Sequence, residues 1–122
     1  MKYLILIYLN PQSRAIWASF TDEQRAAGLQ VYAALNEELA ASGELIITER
    51  LADPSLTHRV PRQDAGSSTD GPFAEVKEQI AGFYLVQCDS TERALEIAGR
   101  IPETPGGYVE VHPVMDRHGV EM

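Results

Sequence analysis

Acidic and basic side chains of this chain lie close together at two places where they could transfer protons. At the first, Glu75 and Lys77 lie two residues apart, so their side chains share one face of an extended segment. A carboxylate beside an ammonium group can accept a proton next to a fixed positive charge, which suits enolisation or isomerisation of a small carbonyl compound. We therefore predict a catalytic role for both residues, with a solvated charged edge as the alternative.

Glu110 and His112 form the second cluster and also lie two residues apart. Histidine changes its charge near neutral pH, so His112 is a candidate general acid or base that the neighbouring carboxylate would orient. Tyr8 and Glu110 are the predicted ligand contacts, and Glu49 is a candidate to join them from another strand. The alternative is a hydrogen-bonded histidine with a structural role only.

Asp70 begins a predicted turn, Asp70-Gly71-Pro72-Phe73. Gly71 can adopt a positive φ, Pro72 has a fixed φ, and Asp70 can accept hydrogen bonds from backbone amides across the turn. Phe73 would anchor this loop in the core. A structural role competes here with a functional one, in which the turn holds Asp70 at the mouth of a cleft as a ligand contact.

Composition excludes several other classes of function. The net charge is −8, from 18 acidic and 10 basic residues, which disfavours nucleic acid as a partner. Cys88 is the single cysteine, so no intrachain disulfide can form, and the three histidines lack the spacing of metal ligands. No glycine-rich phosphate loop occurs. The sequence therefore predicts no metal and no cofactor.

Hydropathy predicts that the protein neither spans nor enters a membrane. No run approaches the ~20 apolar residues that cross a bilayer. The apolar stretch 2–9 is too short for a signal peptide, and no small-residue cleavage site follows it. We expect a cytoplasmic protein.

Hydrophobic periodicity predicts the elements that must position these residues. The segment 2–9 is almost wholly apolar, which is typical of a strand buried on both faces. Thr21 and Gln24 form a capping-box pattern at the start of a long helix, and Gly43 ends it. The predicted order is strand 2–9, connection 10–20, helix 21–42, strand 44–51, irregular segment 52–70, strand 79–88, helix 89–101 and strand 108–115. A helical turn that carries Trp17 is the alternative within the connection 10–20.

The helices should bury one stripe each. In the first helix the expected stripe is Gly28, Val31, Tyr32, Leu35 and Leu39. In the second, Asp89 is the expected cap, with Glu92 completing the capping box. The expected buried residues of the second helix are Ala94, Leu95, Ile97, Ala98 and Ile101.

The order of elements predicts an α+β fold, a ferredoxin-like β-α-β-β-α-β domain over residues 1–115 with a tail at 116–122. A hairpin, formed by short strands at 57–60 and 67–69, is inserted into it. We expect the first and last strands, which carry Tyr8 and the pair Glu110 and His112, to be central in the sheet. Two helices cover only one face of such a sheet. The strands are too apolar for the other face to be exposed to water. A homodimer that packs sheet against sheet is therefore expected.

The stretch 69–86, which begins with Thr-Asp-Gly-Pro-Phe, resembles the central block of the YCII-related proteins of the Asp-Gly-Pro-Phe type. The segments 1–8, 100–102 and 109–115 match the same family in the same order, so the resemblance covers nearly the whole chain. It implies a ferredoxin-like fold that dimerises into an α/β barrel with a cleft. The family has no settled activity, although some relatives act on small molecules and the wider superfamily includes lactone isomerases and monooxygenases that need no bound metal.

Two departures from the family limit what the resemblance implies. Where His112 stands, the family more often has arginine, so the charge at this position depends on pH here. The His–Asp pair proposed as catalytic in the other branch of the family has no counterpart at matching positions of this chain.

Three classes of function follow from the residues and the resemblance. The first is a cofactor-independent acid–base enzyme of the isomerase or lyase type, which predicts that Tyr8, Glu75, Lys77 and His112 meet in one pocket. The second is a non-catalytic small-molecule-binding or regulatory module, which the frequent encoding of relatives beside sigma factors links to transcriptional control. The third is a protein-interaction partner without a pocket.

Overall fold

The computed structural model describes residues 1–61, 79–102 and 107–116. Within these ranges the chain forms four strands and three α-helices, and a 3-10 turn, Pro54–Leu56, follows the second strand. In chain order the elements are β1 (Lys2–Leu9), α1 (Pro11–Ser19), α2 (Asp22–Ser42), β2 (Leu45–Arg50), β3 (Gln79–Gln87), α3 (Thr91–Gly99) and β4 (Tyr108–Pro113).

The four strands form one antiparallel sheet in the order β2-β3-β1-β4. Strands β1 and β2, joined through the helices, run parallel with β3 between them, and β3 and β4 run parallel with β1 between them. This is the split β-α-β arrangement of a ferredoxin-like fold, which confirms the predicted α+β class. The expectation that both the first and the last strand are central was wrong for the last, because β4 pairs with β1 alone and forms an edge.

Local hydrogen bonds explain where the helices begin and end. Thr21 and Gln24 form the predicted capping box, and Gly43 ends α2 with a φ of 81°. The cap of α3 is Ser90 rather than Asp89, since the Ser90 hydroxyl accepts a 3.1 Å hydrogen bond from the Arg93 amide. Asp89 lies one residue too early for that role.

The segment 10–20, predicted as a connection, contains the full helix α1. The Asn10 side chain accepts a 2.8 Å hydrogen bond from the Ser13 amide, and Pro11 occupies the first turn. Proline is favoured there because the first helical amides have no partner within the helix. The Asn10-Pro11 pair therefore begins a helix as well as ending β1.

The core lies between the helices and one face of the sheet. It consists of Tyr3, Ile5, Ile7, Leu35, Leu39, Tyr84, Val86, Cys88, Ala94, Ile97, Ala98 and Ile101. Two predicted members of the helix stripes lie outside it, because Val31 is 49% and Leu95 55% exposed. Strand β1 buries alternate residues only, so the prediction that it is buried on both faces was wrong.

The other face of the sheet, here called the open face, carries no helix among the described residues. Its position follows from the strand registers, because residues paired across strands point to the same side. The open face consists of Leu4, Leu6, Tyr8, Ile47, Glu49, Phe83, Leu85, Tyr108, Glu110 and His112.

The first strand of the predicted hairpin does not form. Residues 57–60 form no strand, and Val60 is 88% exposed. Its second predicted strand, 67–69, lies outside the described residues. None of the helices in the described part of the chain has the length and hydropathy needed to cross a bilayer.

Candidate functional site on the open face

Pairing between β1 and β4 positions the candidate residues of the open face. Tyr8 lies opposite Tyr108, and the two rings stack with centroids 4.9 Å apart and an interplanar angle of 15°. Glu110 lies opposite Leu6, which makes it a diagonal neighbour of Tyr8 across the strand pair. Two elements distant in sequence therefore bring the predicted ligand contacts Tyr8 and Glu110 together.

Glu110 interacts with side chains on both sides. Its Oε1 lies 3.0 Å from Nε2 of His112. On the other side, the pKa of Tyr8 is raised, first by burial of its hydroxyl and then by a hydrogen bond to Glu110 and by the charge of that carboxylate. The structure thus places one carboxylate between a phenol and an imidazole.

This arrangement determines which atom of His112 can accept a proton. An ionised carboxylate is an acceptor only, so the contact with Glu110 assigns the hydrogen to Nε2 of the imidazole. Nδ1 of the neutral ring then keeps its lone pair and can act as a base. A carboxylate that holds the opposite nitrogen stabilises the imidazolium that results, as in other oriented histidine bases.

The side chains of this cluster are accessible. His112 has 52% of its side-chain surface exposed and Glu110 has 43%. Tyr108 is 39% exposed at the edge of the sheet. A molecule on the open face can therefore reach the imidazole without any rearrangement of the described residues.

Glu49 does not join the cluster. It lies on the open face in the same cross-strand row as Glu110, with Phe83 and Leu6 between them. Three strand spacings separate the two carboxylates by about 14 Å. Asp70, Glu75 and Lys77, the remaining predicted site residues, lie outside the described residues.

A cavity of about 810 Å³ lies on the opposite side of the sheet, beneath α1 and α2. Arg14 and Trp17 of α1 and Tyr32 of α2 line it. A connection at 10–20, with at most a helical turn at Trp17, did not predict this cavity. The Asn10-Pro11 pair, a cap followed by proline in the first turn, was the signal that predicts the helix carrying Arg14.

Cys88 is structural, as its apolar surroundings predict. It is 5% exposed and belongs to the core, and burial raises the pKa of its thiol. Within the described ranges no three His, Cys, Asp or Glu side chains come together as a metal site would require.

Comparisons with known proteins show the family and a relative of this chain. The profile of the YCII-related domain matches residues 1–118. An uncharacterized protein of Rhizobium meliloti (strain 1021) is 34% identical over 120 residues, which cover 93% of this chain and 92% of the relative.

Proposed function

The chain belongs to the YCII-related family, and on that premise we propose that it is a homodimer that binds a small molecule in a cleft over the open face. The bound molecule undergoes acid–base chemistry of the isomerase or lyase type without a cofactor. The catalytic groups are Glu75, Lys77 and His112, and the ligand contacts are Tyr8, Asp70 and Glu110.

The observation that carries this proposal is the contact between Glu110 and His112 beside Tyr8. An isolated surface histidine would have no fixed tautomer, whereas the 3.0 Å contact leaves Nδ1 as the base. The hydroxyl of Tyr8 donates its hydrogen to Glu110, so its oxygen remains as an acceptor for a hydrogen-bond donor of the substrate.

In the proposed reaction Nδ1 of His112 removes a proton from a carbon next to a carbonyl group. Glu110 stabilises the imidazolium, and the hydroxyl of Tyr8 orients the substrate. The same imidazolium returns the proton to another carbon, which completes an isomerisation. In a lyase reaction the enolate electrons form the new double bond as the bond from the β-carbon to the leaving group breaks, and the imidazolium protonates the leaving group. Lys77 supplies the positive charge that stabilises the enolate oxygen.

The dimer is part of the proposal because the open face alone provides one wall of a cleft. The face contains the apolar pairs Leu6–Phe83 and Leu4–Leu85, and Ile47 at its edge is 42% exposed. Packing this face against that of a second copy removes the apolar surface from water and encloses the acid–base cluster.

A non-catalytic binding or regulatory module is the second candidate. The exposure of the Glu110 and His112 side chains favours it, because catalytic acid–base pairs work best in a site that excludes water. In that case the same residues recognise a ligand without turnover, and the link to transcriptional control rests on the resemblance alone.

Proton exchange tests the catalytic proposal across a set of candidate substrates. A panel of small lactones and 2-keto acids is incubated with the protein in D2O, and ¹H NMR follows the loss of signal next to the carbonyl group. We expect accelerated exchange for at least one compound and a rate about 10²-fold lower in His112→Gln. Glu49→Gln, on the same face but remote from the cluster, is the matched control and should exchange at the wild-type rate.

Exchange at the wild-type rate in His112→Gln would refute the assigned base. Binding of a panel compound without any exchange would favour the second candidate. Glu75→Gln and Lys77→Met apply the same test to the other predicted catalytic groups.

Sedimentation velocity at micromolar concentration tests the dimer. Ile47→Glu places a charge on the open face and should shift the protein toward monomer. Leu95→Glu, at a more exposed position on α3, should leave the sedimentation coefficient unchanged. A wild-type monomer at these concentrations would rule out the proposed cleft.

A further inference from the structure

Arg14 is an unsatisfied cation on α1. Its Nε and Nη2 atoms are buried, and neither has a hydrogen-bond partner in the part of the chain that the structure describes. Buried side-chain polar atoms are nearly always hydrogen-bonded, because an unpaired buried donor of a charged group has lost its water without compensation. A bound group that accepts hydrogen bonds from these two atoms would therefore satisfy Arg14.

The two unpaired atoms define the geometry of that partner. Nε–H and the adjacent Nη–H lie side by side along one edge of the planar guanidinium. Two parallel donors in this arrangement match the two oxygens of a carboxylate, and such bidentate pairs are shorter and stronger than single hydrogen bonds. A single water can satisfy the edge only through one bifurcated contact.

Arg14 also lines the 810 Å³ cavity, which is within the size range of small-molecule sites. The aromatic part of its wall includes Trp17 and Phe20, whose rings meet edge to face with centroids 5.8 Å apart. Tyr32 and Leu29 extend this apolar wall along α2. The cavity thus combines one unpaired cation with a large surface for an apolar body.

The other charged residues of the cavity limit the charge of the ligand. The lining includes Arg14, Arg50 and Asp53, whereas the side chain of Glu49 points to the open face. The pKa of Asp53 is lowered, chiefly by hydrogen bonds from Ser55 and to a smaller extent by the charge of Arg14, so Asp53 is ionised at neutral pH. Two guanidinium groups and one carboxylate leave a single positive charge, which a monoanion balances and a dianion such as phosphate exceeds.

We propose that this cavity binds a small organic monocarboxylate, whose carboxylate lies on Nε and Nη2 of Arg14 and whose apolar body packs against Trp17 and Phe20. The site lies on the helix side of the sheet, across from the acid–base cluster of the open face. It is therefore independent of the function proposed above.

Trp17 reports directly on binding, because it is the single tryptophan of the chain and lines the cavity. The experiment titrates the full chain with phenylacetate and 3-phenylpropionate, and with the neutral amides phenylacetamide and 3-phenylpropanamide, while Trp fluorescence is recorded. We expect saturable changes with the carboxylates and dissociation constants at least 10-fold weaker for the amides.

Variants of Arg14 assign the effect to its guanidinium. Arg14→Gln should raise the dissociation constant of phenylacetate at least 10-fold, and Arg14→Lys should give an intermediate value because lysine lacks the planar fork. Arg100→Gln removes a guanidinium that pairs with Glu38 on the surface and should leave the titration unchanged. His112→Gln should also leave it unchanged, which separates this site from the open face.

Thermal unfolding gives a second measurement. Arg14→Gln removes two buried donors that have no hydrogen-bond partner in the described part of the chain, so the variant should unfold at the wild-type temperature or above it without ligand. Phenylacetate should raise the Tm of the wild type but not that of the variant. Amides that bind as tightly as the acids, an unchanged dissociation constant in Arg14→Gln, or no binding of either carboxylate at 10 mM would overturn the proposal.

Discussion

Arg93 on α3 forms a bidentate ion pair with Glu44, the residue between α2 and β2. Its Nε donates a hydrogen bond to Oε2 and its Nη2 donates one to Oε1, and each of these distances is 2.8 Å. The Ser42 hydroxyl donates a further 2.8 Å hydrogen bond to Oε1 of Glu44. These contacts fasten the first turn of α3 to the start of the edge strand β2.

Glu44→Gln should make the free energy of unfolding less dependent on pH in the acid range. Hydrogen bonds from Arg93 chiefly lower the pKa of Glu44 from its ordinary value of 4.5 to about 2. Because the folded pKa is depressed, the stabilisation is fully present above pH 4.5 and is lost as the pH falls through about 2. We expect a loss of about 1 to 2 kcal/mol at pH 7 after allowance for solvent screening. Urea unfolding from pH 7 to pH 2 measures whether the difference from wild type shrinks below pH 4.5.

Glu96→Gln is the control for this experiment. Glu96 also pairs with Arg93, but 64% of its side chain is exposed. Its replacement should change the free energy of unfolding by less than about 0.5 kcal/mol. Equal losses of unfolding free energy in the two variants would contradict the inference that the pair of Arg93 with Glu44 contributes more than its pair with Glu96.

Two glycine-to-alanine substitutions should change the stability of the protein in opposite directions. A Cβ at Gly82 of β3 would lie 2.9 Å from the backbone oxygen of Glu49, so two paired strands would have to separate. We expect Gly82→Ala to destabilise the protein by about 1 to 3 kcal/mol.

A Cβ at Gly28 of α2, by contrast, would make an ordinary 3.5 Å contact with the ring of Trp17. Gly28→Ala should stabilise the protein by about 0.5 to 1 kcal/mol, because glycine is unfavourable inside a helix. Thermal denaturation of both variants measures the two signs, and a stable Gly82→Ala protein would argue against the close approach of β2 and β3.

Thr21→Ala should weaken the start of α2. The Thr21 hydroxyl accepts a 3.1 Å hydrogen bond from the Gln24 amide, and the Gln24 side chain accepts a 2.8 Å hydrogen bond from the Thr21 amide. Removal of the hydroxyl should cost about 1 kcal/mol, whereas Thr21→Ser keeps the cap and should cost much less. Denaturant unfolding of the two variants compares them, and equal losses would mean that the cap contributes nothing measurable.

Tyr84→Phe should lower the free energy of unfolding, because it removes a hydrogen bond between β3 and α2. The hydroxyl of Tyr84, which is 1% exposed, donates a hydrogen bond to Oδ1 of Asn36 on α2. Its loss leaves the amide oxygen without this partner, at a cost of about 1 to 2 kcal/mol. A double-mutant cycle with Asn36→Ala should give a coupling energy near 1 kcal/mol, and strictly additive losses would rule out the interaction.

The sequence alone determined features that depend on neighbouring residues. The capping box of Thr21 and Gln24 and the left-handed Gly43 were predicted correctly, because these hydrogen bonds join residues three to five positions apart. The shared face of Glu110 and His112 was also predictable, since alternation along a strand fixes it before any partner is known.

Errors arose where two local patterns compete. Asn10-Pro11 both ends a strand and begins a helix, and only the second property predicts α1 and the position of Arg14. Ser90 and Asp89 are both good caps, and the choice between them depends on which residue begins α3. Leu95 is apolar and lies next to the buried Ala94, yet 55% of it is exposed.

Only the tertiary structure decided which distant residues meet. The pairing of β1 with β4 brings Tyr8 beside Glu110 and places β4 at the edge, and no periodicity within either strand specifies that partner. Packing of α3 brings Arg93 to Glu44, 49 residues away. The cavity beneath α1 likewise exists only between packed elements, so the unpaired charge of Arg14 became visible there and not in the sequence. Local patterns specify hydrogen bonds within a few residues, whereas contacts between elements depend on how whole faces are buried against one another.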